Sequence, residues 1–161
     1  MKALFKQCDV MKKQFIFDYN HYDSVAELTP EDAELLKEAR LSTERAIATY
    51  SNFRVVAAAR LRSGKILHGS NVESEVYPAG LCAERTLLFH HEACHADDPI
   101  EVLAIASMPD QRECYPCGQC RQVLVDVERR QSSPMRILMA GRESVTEVDS
   151  AEKLLPFTFK L

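Results

Sequence analysis

Four residues in two short runs constrain this chain more than anything else in it: Cys82-Ala83-Glu84 and Pro116-Cys117-Gly118-Gln119-Cys120. Cys117 and Cys120 have the spacing with which two thiolates clamp one tetrahedral Zn2+, and Cys82 can supply a third ligand. Three protein ligands leave one position for water, which separates a catalytic zinc from a structural one closed by four. Glu84 lies two residues from a ligand, close enough to handle protons without binding the metal. Any fold of this chain must bring position 82 and positions 117–120 to one point.

The pattern around these residues says how. Thr29-Pro30-Glu31-Asp32 is a helix start, with a Thr cap, Pro in the first turn and acids at the positive end of the dipole. It predicts a helix to about Tyr50, with Ala33, Leu36 and Ile47 facing the core. Phe53 to Leu61 reads as a strand, Ser63-Gly64 as a turn and Lys65 to Val72 as the returning strand of a hairpin. Pro78-Ala79-Gly80 precedes a second helix, about Leu81 to Glu92. Ile100 to Ser107 is an apolar strand of the kind buried on both faces. A third helix spans about Cys117 to Arg130, followed by strands at Met135–Ala140 and Val145–Val148 and a short helix at Ala151–Leu155. This order predicts an α/β fold, a three-layer α-β-α sandwich around a mixed five-stranded sheet. Cys82 then sits in the first turn of one helix, and Cys117 and Cys120 in the first turn of another. The positive helix ends favour thiolates there.

The other cysteines and histidines compete for roles. Cys114 also stands two residues before Cys117, which keeps open a structural zinc, but Pro116 leaves Cys114 in the loop ahead of the helix. Cys8 and Cys94 have no partner at ligand spacing and read as free thiols. His90, His91 and His95 read as a solvated helix end, not a second metal site.

Composition limits the partners. A net charge of −4 argues against a nucleic-acid surface, and no stretch approaches the roughly 20 apolar residues of a membrane span. The start of the chain lacks a signal-peptide core, and Met11 is an alternative start. Six cysteines without a secretory signal suit metal binding or buried thiols in the cytoplasm. Residues 1–25 read as a variable extension, and 26–161 as a single domain.

The runs Asn71-Val72-Glu73-Ser74, Tyr77-Pro78, Leu81-Cys82-Ala83-Glu84-Arg85-Thr86 and Pro116-Cys117-Gly118-Gln119-Cys120-Arg121-Gln122-Val123-Leu124 resemble those of the small, homotetrameric cytidine deaminases. The resemblance extends from the helix near Leu41 to Leu154-Leu155-Pro156 and Phe159. It implies one zinc per subunit on Cys82, Cys117 and Cys120, with Glu84 as proton shuttle. It further implies that Asn71 and Glu73 hold the sugar hydroxyls, that Phe53 packs on the base, that Ala83 contacts substrate, and that Phe159 reaches a neighbouring subunit's site in a homotetramer. Two positions depart from the family pattern. Val56 replaces Gly and could crowd the strand near the ligand, and Ser74 replaces Asn.

The implied reaction is hydrolysis of cytidine and 2′-deoxycytidine to uridine and 2′-deoxyuridine with release of ammonia. A zinc-activated water attacks C4 and Glu84 moves the protons. Three thiolates weaken the zinc as a Lewis acid, which makes Arg85 the candidate cation beside the sulfurs, with Arg121 second. A deaminase of another aminopyrimidine, such as an aminoacylnucleoside antibiotic, is the alternative substrate reading. A non-enzymatic zinc module is the alternative from another class.

Overall fold

The computed structural model describes residues 11–160. Cys8, read above as a free thiol, lies outside them. Three helices and six strands alternate in the order β1 (Asn20–Tyr22), α1 (Pro30–Leu41), β2 (Arg54–Leu61), β3 (Ile66–Ser70), α2 (Ala83–Cys94), β4 (Ile100–Met108), α3 (Gly118–Arg130), β5 (Arg136–Ala140) and β6 (Val145–Val148). The strands form one mixed sheet in the order β1-β6-β5-β4-β2-β3. The β4–β5 pair is parallel and every other pairing is antiparallel.

The three layers follow from strand alternation. On β2, Val55, Ala57, Ala59 and Leu61 pack with Leu87 and Leu88 of α2 and Leu124 and Val127 of α3, while Val56 and Ala58 face Leu35, Leu36 and Ala39 of α1. β4 and β5 alternate likewise, so successive side chains enter different cores, as the period of two requires. The sheet is therefore covered on both sides, which explains the near-continuous apolar run of β2 and β4.

The structure differs from the sequence expectation in four places. The sheet has six strands, not five, because Asn20–Tyr22 pairs antiparallel with β6 and Tyr22 Oη donates to Glu147 Oε2 at 2.7 Å. Glu147 in turn binds Arg136, which shares Asp32 with Arg60, so a chain of charges ties β1, β6, β5, α1 and β2. The first helix ends at Leu41 and not near Tyr50. A short 3-10 turn, Ser42–Arg45, follows, and Ile47 then bridges Val72 through Ile47 N–H to Asn71 O (2.9 Å) and Glu73 N–H to Ile47 O (2.8 Å). Ile47, expected in the core, is therefore largely exposed, and Tyr50 further along lines the cleft described below. The second strand of the hairpin stops at Ser70. Finally, His91 is not solvated: it is buried and its Nε2 meets the Asp98 carbonyl at 2.9 Å, whereas His90 is exposed.

No helix among the described residues is long and apolar enough to cross a membrane.

Candidate metal centre and nucleoside cleft

Cys82 and Cys117 are the N-cap residues of α2 and α3, one position ahead of the first turns expected, and Cys120 lies in the first turn of α3. Neither N-cap sulfur accepts a capping bond from a backbone N–H of its own helix. A Ser or Asp at the same position would satisfy the first N–H groups. Here the sulfurs lie against one another instead, at the positive ends of two helices.

Cys82 Sγ lies 3.9 Å from Cys117 Sγ, and Cys117 Sγ lies 3.5 Å from Cys120 Sγ. All three ligand atoms fall within 4.8 Å of one another, the only such group of possible metal ligands among the described residues. A tetrahedral zinc with Zn–S bonds of about 2.3 Å sets its sulfurs about 3.8 Å apart. The two edges at 3.9 and 3.5 Å lie close to that spacing, so the trio fits such an ion. Cys114 is not part of the group; it is partly buried, and burial pushes its thiol up to about 11. The fourth ligand that a closed structural site needs is missing from the described residues.

Charge is shared within the trio. The hydrogen bond with Cys120, helped by Arg85, draws the Cys82 thiol below its ordinary range, and the same contact with Cys82 drives Cys120 up. Arg85 donates from Nη2 to Cys82 Sγ at 3.7 Å, and its bonds to Cys82 and Cys120 outweigh the cost of burying the guanidinium. Arg121, the second candidate cation, is spent elsewhere: Nε donates to Pro116 O (2.8 Å) and Nη1 to Leu154 O (3.1 Å). Glu84 is only 3% exposed, and burial, reinforced by the charge on Cys82, raises its carboxyl above the usual range. Ala83 between them is fully buried.

Beside the sulfurs runs a cleft of about 200 Å3, whose walls include Tyr50, Asn71, Glu73, Tyr77, Cys82 and Arg85. The two residues expected at the sugar thus share a cavity with the expected metal ligand and its cation. Phe53 immediately precedes β2 and is not among the residues lining this cleft; it is 39% exposed, its carbonyl accepting from Asn71 Nδ2 at 3.0 Å. Phe159 is 67% exposed and meets Gln122 of α3 through its carbonyl (3.4 Å), outside this cleft. Val56 does not crowd the cleft, since its side chain lies in the opposite core with Leu35 and Leu36. Ser74 lines the cleft and its Oγ accepts from Val76 N–H at 3.1 Å.

Sequence reasoning missed Tyr50 and Tyr77, whose rings stand 6.4 Å apart in the cleft wall. Tyr77-Pro78 belonged to the matching runs, but nothing in its spacing shows which surface it meets. A larger cavity of about 720 Å3 lies between the N-terminal segment and β6, lined by Phe17, Tyr19, His21, Tyr115 and Thr146 among others, and includes none of the three sulfurs.

An open three-thiolate centre beside a buried carboxylate, set at two helix ends of an α-β-α sandwich, defines a class of zinc-dependent hydrolases. The chain belongs to the cytidine and deoxycytidylate deaminase family, whose zinc-binding region matches residues 29–133. It is 39% identical to a cytidine deaminase of Halalkalibacterium halodurans over 94 residues, 58% of this chain and 69% of that one. It is 32% identical to one of Sporosarcina psychrophila over 127 residues, 78% and 89% of the two chains. Among solved structures, the cytidine deaminase of Burkholderia pseudomallei superposes with a TM-score of 0.70 at 33% identity, covering 82% of this chain and all of that one.

Proposed function

We propose that this protein hydrolyses cytidine and 2′-deoxycytidine to uridine and 2′-deoxyuridine, releasing ammonia, and that Cys82, Cys117, Cys120 and Glu84 carry the reaction. The observation that supports this best is the three-sulfur group with a fitting tetrahedral edge, next to a carboxyl that burial keeps protonatable. Zinc on the three sulfurs would supply a water acidified toward neutrality beside C4.

Everything else falls to the chain's own side chains. Glu84 takes the proton given up by the attacking water and delivers it to ring N3. The same carboxyl then takes the remaining proton from the new C4 hydroxyl and passes it to the exocyclic amino group, which leaves as ammonia as the C4 carbonyl forms. One group can do both only if its pKa lies near the working pH, and burial moves Glu84 in that direction. Arg85 offsets the excess negative charge of three thiolates through its bond to Cys82. Asn71 and Glu73 hold the sugar hydroxyls, Ala83 meets the substrate, and Phe53 packs on the base. The protein acts as a homotetramer in the cytoplasm, each site completed by a neighbour's Phe159. A three-thiolate zinc site together with the unpaired thiols of Cys94 and Cys114 suits a reducing compartment.

The test is ammonia release from purified protein with cytidine, 2′-deoxycytidine and an aminoacylnucleoside antibiotic, before and after a strong chelator. Turnover of the first two that vanishes on chelation and returns with Zn2+ is the expected result. Turnover of the antibiotic alone would reassign the substrate, and turnover that survives complete zinc removal would overturn the mechanism.

A further inference from the structure

The segment 50–55, which carries Phe53, is fastened to the cleft floor by two side chains. Asn71 accepts from Val55 N–H at 2.8 Å and donates to Phe53 O at 3.0 Å. Glu73 Oε2 accepts from Tyr50 N–H at 2.7 Å and Ser51 N–H at 3.2 Å. Between them stands Ser51, whose hydroxyl donates to Glu73 Oε1 and accepts from Phe53 N–H at 3.0 Å. The turn itself is tight, because Asn52 holds a left-handed backbone at φ 55°.

Counting acceptor directions shows what this arrangement leaves free. A carboxylate offers about four lone-pair sites, two on each oxygen. Two N–H groups fill Oε2, and Ser51 takes one site on Oε1. One direction of Oε1 remains for an outside donor, and its aim is set by the hydroxyl that occupies the other. The same bonds hold the Glu73 carboxyl below the usual range, with Ser51 the largest cause, so the group stays a charged acceptor.

We infer that Ser51 is a positioning residue for the nucleoside. Its hydroxyl aims the Glu73 carboxylate at a sugar hydroxyl and links that carboxylate to the backbone of Phe53, so sugar and base are gripped by one rigid unit. This rests on the reading that Glu73 holds the sugar. A residue that only shapes the turn would affect all substrates alike; a residue that aims Glu73 affects those that bear the hydroxyl.

Steady-state kinetics of zinc-loaded S51A, S51T, E73Q and S51A/E73Q with cytidine and with 2′,3′-dideoxycytidine separate these roles. Where turnover of the dideoxy compound is too slow to follow, its inhibition constant replaces KM. Ser51 is exposed, so its truncation spares the core. S51A should raise KM for cytidine about tenfold, the size of one lost hydrogen bond to a charged group. Its effect on kcat should be much smaller, and the dideoxy compound should be nearly unaffected. S51T should restore the cytidine value, and the double variant should be no worse than E73Q, because both changes remove the same contact. An equal rise for both compounds, or an unchanged S51A beside an impaired E73Q, would overturn the role of Ser51. An unchanged E73Q would overturn the sugar reading itself.

Discussion

Glu84 and Cys82 are two residues apart, yet their surroundings push them in opposite directions. Burial keeps the Glu84 carboxyl protonatable, while Cys120 and Arg85 hold Cys82 toward the thiolate. A metal ligand must be ionised and a proton shuttle must be able to take both forms, so the division suits the roles proposed for Cys82 and Glu84. Glu84→Gln preserves size and polarity but cannot carry a proton. The variant should keep one zinc per chain by elemental analysis, keep its thermal midpoint, and lose about a thousandfold in kcat, within the range general acid–base groups supply. Activity within tenfold of the parent would remove Glu84 from the shuttle role; loss of zinc would make it a structural residue.

At the scale of elements, α2 is held on the sheet by a contact that no side chain could make. A Cβ placed on Gly69 of β3 would lie 2.5 Å from Leu87 N and 2.6 Å from the Ala83 carbonyl oxygen, both backbone atoms of α2. Gly69→Ala must therefore push away the helix whose first turn carries Glu84 and whose cap is Cys82. Overpacking of this kind costs roughly 1–3 kcal/mol or more. The expected result is a lower urea midpoint together with weaker zinc retention against a chromophoric chelator, and a variant unchanged in both would show that α2 moves freely. Much of this element-level plan was legible in the sequence. Thr29-Pro30 marks a real helix start, where Thr29 Oγ1 accepts from Asp32 N–H, and the cysteine spacing placed two helix ends together. The end of α1 was not legible, because Ile47 leaves the helical pattern to bridge Val72, a partner 25 positions away with no periodic signal. β1 escaped notice for a similar reason: Asn20-His21-Tyr22 has no apolar alternation and becomes a strand only by pairing with β6. Asn71 and Glu73 read as a polar strand end until the family resemblance implied a role, and Ser51 joins Glu73 only through bonds that span more than 20 residues.

For the whole molecule, the question is whether one chain makes a complete site. The C-terminal segment leaves Phe157 and Phe159 exposed, and the cleft wall adds exposed Tyr50, Val72 and Tyr77. If Phe159 completes a neighbour's site, the defects of two different inactive chains can cancel. An F159A chain retains Glu84 but lacks the donated aromatic; an E84Q chain is dead at its own site yet still donates Phe159. Co-expression should form mixed assemblies in which some F159A sites lie beside E84Q neighbours and regain turnover. The activity per F159A chain should then exceed that of the F159A assembly alone, while each parent variant purified separately stays low. Should Phe159 act within its own chain, no combination of the two restores a whole site, and the mixed assemblies would show only the sum of their parts. Light scattering on the same samples ties the outcome to a tetramer, since rescue requires that different chains share one assembly.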